Sequence, residues 1–259
     1  MPIVNINGTR IAYWLGNQGF SRKGEIILFI HGAGGNQLIW SFQKAFFEKD
    51  FIPIVIELPG HGNSEGDGRD EISLYAKDVL SFMRELRLQR IFMVGHSMGG
   101  AIVQTIALSH PELIRGIVLV GTGARLRVPP MILERIKTHF EEMIPKLVNY
   151  AYSRKTSKEL IEQGIKLLMQ CKPHVLYNDF LACDRFDKMR DVEEIGLPTL
   201  IICGAEDELT PIKYSKYLRE KIKRSALEII SDTGHMVMIE SPSEFNNKIR
   251  EFILDLRNP

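Results

Sequence analysis

Six short apolar runs, each closed by Gly or Pro, limit what this chain can fold into more than any other feature of its sequence. They are EIILFIHG (25–32), PIVIELPG (53–60), RIFMVGHS (90–97), GIVLVGTG (116–123), TLIICGAED (199–207) and ALEIISDTG (226–234). Uninterrupted runs rich in Ile and Val suit strands buried on both faces, the situation of a parallel sheet. Helical spacing fills the intervals. Ile72, Tyr75, Val79, Phe82, Met83 and Leu86 share one face, as do Ile102, Val103, Ile106 and Ala107 before the break at Pro111. Strand alternating with helix predicts an α/β fold, a mainly parallel, doubly wound sheet with helices on both faces. IAYWLG (11–16) is expected to add a strand at the N-terminal edge.

One stretch breaks the alternation. From about Arg125 to Asp191 there is no strand pattern, only helices, with Thr156 and Glu159 in capping-box spacing and an apolar stripe on Leu160, Ile161, Gly164, Ile165, Leu168 and Met169. The expected organisation is therefore a first part of an α/β core over 1–124, an all-helical cap over 125–191, and the second part of the core over 192–259.

The most specific motif is Gly95-His96-Ser97-Met98-Gly99, directly after a strand run and directly before a helical one. A G-x-S-x-G turn in that setting holds the serine in a strained conformation with its hydroxyl projecting from the sheet edge. Gly95 and Gly99 remove Cβ atoms where strand and helix nearly touch. The following helix directs unpaired N–H groups and the positive end of its dipole at that oxygen. Ser97 is thus the candidate nucleophile.

A serine hydroxyl needs a base. Of seven histidines, His235 is best placed, in the turn after the last strand run. His31 and His61 end strands but precede the serine, His110 and His139 sit in helical patterns, and His174 lies in the insertion. His96 is expected to point away from the site because it precedes the serine on a tight turn. The acid that orients the imidazole is expected after the strand TLIIC, where Glu206, Asp207 and Glu208 offer three carboxylates, and Asp207 is the choice. Backbone donors for a developing oxyanion are expected from Met98 and from the loop 31–36 (HGAGGN), with Ala33 first and Gly34 second. That loop matches neither G-x-x-x-x-G-K-[ST] nor G-x-G-x-x-G, so a phosphate cradle is not indicated.

Composition closes off other classes. The formal net charge is +1 over 259 residues, against the clear basic excess of nucleic-acid binders. Cys171, Cys183 and Cys203 have no metal-ligand spacing, and their odd number argues against a disulfide framework. The N-terminus lacks a signal-peptide plan, and no apolar stretch approaches the roughly 20 residues that span a bilayer. A cytoplasmic protein, monomer or homodimer, without metal, cofactor or membrane partner, is expected.

With these residues assembled, the chain resembles the α/β-hydrolase superfamily, in its compact branch with a helical cap. The resemblance rests on His31-Gly32 with Trp40 downstream, on Pro59-Gly60-His61-Gly62-Asn63-Ser64, on the Ser97 elbow, on Gly204-Ala205-Glu206-Asp207 with Pro211, and on Gly234-His235 with Glu240-Ser241-Pro242. The family often carries Asp where this chain has Glu57, and His61 reads as a turn residue rather than a second base. The resemblance implies a serine hydrolase among carboxylesterases, enol-lactonases, carbon–carbon bond hydrolases, thioesterases and haloperoxidases, or a receptor that retains the triad. Ser97 sets it apart from the dehalogenases and epoxide hydrolases, which use Asp. Segments Leu181-Ala182-Cys183-Asp184 and Phe186-Asp187 look most like small esterases and lactonases. The expected substrate is a small, largely apolar carboxylic ester, with water as second reactant. Gly34, Trp40, Phe140 and Phe180 are candidate contacts to it, beside Met131, Val148 and Tyr152 in the insertion. Arg125, Arg127 and Arg154 could receive an anionic group.

Overall fold

The computed structural model describes residues 1–16, 19 and 24–257. Eight strands form one sheet: β1 (Ile3–Ile6), β2 (Thr9–Leu15), β3 (Ile26–Ile30), β4 (Ile52–Ile56), β5 (Ile91–His96), β6 (Ile114–Val120), β7 (Thr199–Gly204) and β8 (Ser225–Ile230). Their spatial order is β1-β2-β4-β3-β5-β6-β7-β8. β1 and β2 run antiparallel to their neighbours, and every other pairing is parallel.

The apolar runs have no polar alternation because both faces of the sheet are covered. In β3, Leu28 and Ile30 pack on one side with Val79 and Phe82 of helix α2 (Ile72–Glu85) and Ile102 and Ile106 of α3 (Met98–Ser109). Ile27 and Phe29 pack on the other with Phe47 of α1 (Ser41–Phe47) and Phe245 and Ile249 of α10 (Pro242–Asp255). α8 (Ile212–Lys221) and the short α9 (Val237–Glu240) complete the core. Between β6 and β7 the chain leaves the sheet for four helices: α4 (Pro130–Thr138), α5 (Phe140–Ala151), α6 (Lys158–Leu168) and α7 (Pro173–Arg185). An isolated antiparallel bridge, Arg125 to Asp187, pinches the two chains at their exit and return. These helices gather their own apolar cluster around Ile144, Leu147, Val175 and Leu176.

Three expectations need correction. IAYWLG is not the edge, because β1 pairs outside β2 through a tight turn with positive φ at Asn7 (50°) and Gly8 (86°). Asn-Gly is the hairpin dipeptide that adopts this conformation, so the signal was present. β8 is not buried on both faces. It is the opposite edge, and its Ile229 is 41% exposed. The cap of α6 is Ser157, whose hydroxyl accepts Leu160 N–H, while the Thr156 hydroxyl turns away to donate to Glu240.

Strand order reverses at β3 and β5, so the chain leaves their carboxyl ends towards opposite faces and opens a crevice there. The β5–α3 turn depends on glycine. A Cβ on Gly95 would lie 2.3 Å from the Gly99 carbonyl oxygen, and one on Gly99 would lie 2.4 Å from that of Ile30. Both obstacles are backbone and cannot rotate away. Gly95→Ala is therefore expected to destabilise the protein by about 3 kcal/mol or more, the upper range for overpacking. A urea-unfolding midpoint equal to wild type would show that the turn relaxes freely.

Candidate active site

Ser97 begins where β5 ends, and its backbone takes φ 53° and ψ −116°. A non-glycine residue held there stores roughly 1–3 kcal/mol of strain. Four hydrogen bonds hold it: Ser97 N–H to the Val120 carbonyl, and Gly100 N–H and the Thr122 hydroxyl to the Ser97 carbonyl, each 2.9 Å, with Ala101 N–H to the same carbonyl at 3.3 Å. Met98 is the first residue of α3, so its N–H lies beyond the reach of the helix's own carbonyls.

His235 sits in the loop between β8 and α9, only 5% exposed, with its N–H on the Ala151 carbonyl at 2.7 Å. Its Nδ1 is 2.9 Å from Asp207 Oδ2. Asp207 follows β7, where Oδ1 accepts the N–H groups of Leu209 and Thr210 at 2.9 and 2.8 Å, and Oδ2 accepts the Thr210 hydroxyl at 2.8 Å. Burial alone would raise the Asp207 pKa, but His235 and the Thr210 donors outweigh it and hold the group below the ordinary carboxylate value. A carboxylate at Nδ1 places the proton of the neutral ring on that nitrogen and leaves the Nε2 lone pair free. The neighbouring acids go elsewhere, Glu206 to the Ser153 hydroxyl and Glu208 to Arg154. The two loops meet through glycine again: a Cβ on Gly204 would lie 2.1 Å from the Gly234 carbonyl oxygen.

Ser97 and His235 open on one cavity of about 120 Å³. Its floor carries Gly32, Ala33, Gly34 and Gly35, and its walls Ile39, Leu147, Val148, Tyr152, Leu168, Phe180, Leu209 and Met236. Gly34 N–H already donates to Asp179 Oδ2 at 2.8 Å, so Gly34 is ruled out as the second-choice oxyanion donor, while Ala33 lies beside Ser97 in the cavity lining.

Several sequence expectations fall elsewhere. Trp40 is fully buried beneath the site against Phe29 and Phe245 and does not line the cavity. Its indole fills the core where α1 begins. Phe140 is half-buried among the inserted helices and also misses the lining, and Met131 is exposed. Phe180, Gly34, Val148 and Tyr152 do line it. His96 does not point away. It lines the cavity with its ring 4.6 Å from that of His235, and its Nε2–H donates to the His235 carbonyl at 3.1 Å. Burial, reinforced by His235, pushes its pKa down to about 3. Arg125 and Arg127 pair with Asp187 and Arg154 with Glu208, all away from the lining. Leu147, Leu167, Leu209 and Met236 were not singled out from sequence, where nothing distinguishes them from ordinary core. Among the described residues, no three His, Cys, Asp or Glu side chains gather as metal ligands would, and no helix is long and apolar enough to cross a membrane.

Two expectations follow. Asp207→Asn removes the charge that orients and stabilises the His235 imidazolium and should lower turnover by about 10⁴-fold. Glu206→Gln and Glu208→Gln should each stay within about threefold of wild type, as neither touches the imidazole. Steady-state kinetics on one substrate decide between them. The second concerns acid. An unfolded histidine takes its proton near pH ~6.5, whereas His96 resists down to about 3. Across that window the unfolded chain binds a proton that the native one refuses, so stability falls as pH drops, by ~1.4 kcal/mol per unit from this group. Urea midpoints should therefore decline more steeply below pH ~6.5 in wild type than in His96→Gln. Parallel declines would clear His96.

Comparison with known proteins agrees with this architecture. A model of the Alpha/beta hydrolase family matches residues 27–248. A solved thermophilic esterase is 32% identical, with a TM-score of 0.86 over 98% of this chain and 97% of its own. A putative carbamate hydrolase of Rhizobium rhizogenes is 30% identical over 243 residues, 88% of this chain and 92% of its own. A 3-oxoadipate enol-lactonase of Acinetobacter baylyi is 25% identical over 231 residues, 86% of each chain. On its fold, its strand-end site and a match spanning most of its length, the chain belongs to the alpha/beta hydrolase family.

Proposed function

We propose that this protein is a serine hydrolase that cleaves small, neutral, largely apolar carboxylic esters. His235 Nε2 takes the proton of Ser97 Oγ as that oxygen attacks the acyl carbon, and the oxyanion forms against Ala33 and Met98 N–H. Collapse of the intermediate expels the alcohol, which receives the proton from His235. Water, deprotonated by the same nitrogen, then releases the acid. Asp207 stays ionised throughout and stabilises the imidazolium. Residues 125–191 act as a cap on a core of 1–124 and 192–259, and supply most of the walls that select the acyl group. The three free, buried cysteines suit a reducing compartment such as the cytoplasm.

One observation carries the choice of substrate. Among the described residues, the cavity lining holds no Lys or Arg, and its side chains beyond Ser97, His96, His235 and the Tyr152 hydroxyl are apolar. A buried carboxylate without a cationic partner is costly. The site therefore favours a neutral acyl group over the acidic substrate that the name of the enol-lactonase relative implies. Its size, below that of drug-sized pockets, favours a short acyl chain.

Ser97→Ala should remain folded, lose labelling by a fluorophosphonate, and lose ester turnover by roughly 10³-fold or more. Across p-nitrophenyl esters from acetate to decanoate, wild type should prefer the shorter chains, and Phe180→Ala should move that preference to longer ones. A preference for hemisuccinate over butyrate esters would reject the neutral-substrate reading. Labelling of Ser97 with negligible turnover of every ester would point to a binding protein instead.

A further inference from the structure

The turn that carries Ala33 is held from outside the α/β core. Asp179, fully buried on α7, accepts Gly34 N–H on Oδ2 at 2.8 Å. The same oxygen lies 2.7 Å from His61 Nε2, and Oδ1 accepts the Tyr75 hydroxyl of α2. His61 Nδ1 is 3.0 Å from the Pro59 carbonyl. Both His61 nitrogens thus face acceptors only, a carbonyl and a carboxylate that is itself taking two further hydrogen bonds. That arrangement calls for a proton on each nitrogen, an imidazolium buried against Asp179. The neighbouring His31, 4.8 Å away, is the reverse. Its Nε2 accepts Leu58 N–H, so it is neutral, and its Nδ1–H donates to Gly32 O at the foot of the same turn. From above, α6 and α7 press on the turn: a Cβ on Gly34 would lie 2.5 Å from Leu168 and 2.7 Å from Leu176.

We propose that Asp179 is a positioning residue: by holding Gly34 N–H from the inserted helices, it fixes the turn that presents Ala33 N–H to the cavity, so the oxyanion site is complete only while α7 is seated. His61 and Tyr75 serve to fix Asp179, which alone reaches the turn. This rests on the reading of Ser97 as an esterase nucleophile with Ala33 as an oxyanion donor. It differs from a purely structural role in what it touches. A misplaced donor weakens transition-state binding and leaves ground-state binding alone.

The test compares wild type, Asp179→Ala, the double variant His61→Ala/Asp179→Ala, and Asp179→Asn on p-nitrophenyl butyrate. Asp179→Ala leaves a buried imidazolium unpaired and is at risk of not folding, whereas the double variant removes both charges. Thermal melts monitored by circular dichroism identify the folded variants. The expected result is a kcat about 10–100-fold lower in the double variant, and in Asp179→Ala if folded, with KM within about threefold. An alkylboronic acid, which mimics the tetrahedral intermediate at Ser97, should lose affinity by the same factor. Asp179→Asn, whose amide oxygen can still accept Gly34 N–H, should recover part of kcat. A folded variant lacking the carboxylate with wild-type kcat, or a loss confined to KM, overturns the proposal. Amide exchange on wild type alone tests it independently: Gly34 N–H should be among the slowly exchanging amides, and exchange at the rate of an open loop would also overturn it. If wild type neither turns over esters nor labels at Ser97, the esterase reading falls and takes this proposal with it. Wild-type turnover that Asp179 replacement leaves intact removes the proposal alone.

Discussion

The rest of the structure depends on a contact between backbones. At the end of β5, Gly95 lies against the Gly99 carbonyl, and Gly99 lies against the carbonyls of Ile30 and His31. With no side chain between them, α3 starts directly over the ends of β3 and β5. That closeness forces Ser97 into its strained backbone. It also brings Met98 beside the turn that holds Ala33, which leaves the neighbouring strand. A second contact of the same kind, Gly204 on the Gly234 carbonyl, sets the loop of Asp207 against the loop of His235. These glycine contacts therefore join the loops in pairs, the turn after Ile30 with the Ser97 elbow and the loop after Gly204 with that of Gly234. The parallel sheet supplies the common edge from which all four depart.

Around that edge, hydrogen-bond partners decide the charge of each histidine, because burial removes the water that would otherwise do so. His31 accepts a backbone N–H and is neutral, with its pKa driven well down by burial and by nearby His61 and His96. His96, which donates to the His235 carbonyl, is kept neutral by burial and by nearby His235. His61 meets only acceptors, and although burial opposes its charge, Asp179 outweighs that and raises its pKa. A buried ion pair is a poor source of net stability, since desolvation consumes most of the attraction. The His61–Asp179 pair is better understood as a specific joint. It links the loop after β4, α2, the Gly34 turn and α7 through directional hydrogen bonds.

The sheet was legible in the sequence because burial on both faces writes uninterrupted Ile and Val runs, and glycine punctuates their ends. Where the two-faced burial stops, legibility stops too. β1 has only four residues with an exposed–buried mix, and β8 resembles the central strands in composition although one face is open. The proximity of Ser97, Asp207 and His235 was legible because each follows an apolar run that ends at the same sheet edge. The cavity walls were not. Trp40 and Phe140 are large and apolar like Phe180, and only packing decides that Phe180 reaches the cavity while Trp40 fills core and Phe140 stays among helices. Asp179 left no signal at all. A lone acid in an amphipathic helix reads as solvated, and its partners lie more than a hundred residues away in sequence.

Most of the cavity's apolar walls come from a different stretch of chain than Ser97, His235 and Ala33. Ser97, His235 and the turn at Ala33 come from the sheet edge, while Leu147, Val148, Tyr152, Leu168 and Phe180 come from the segment between β6 and β7, with Ile39, Leu209 and Met236 added from the core. Under the proposed function, descendants of this gene could exchange several of these side chains and change substrate while Ser97 and His235 stay in place. Asp179 is an exception within the same helices. A lineage that lost it would have to find another anchor for Gly34, so this position joins Ala151, Ser153 and Thr156 in tying the inserted segment to the history of the sheet.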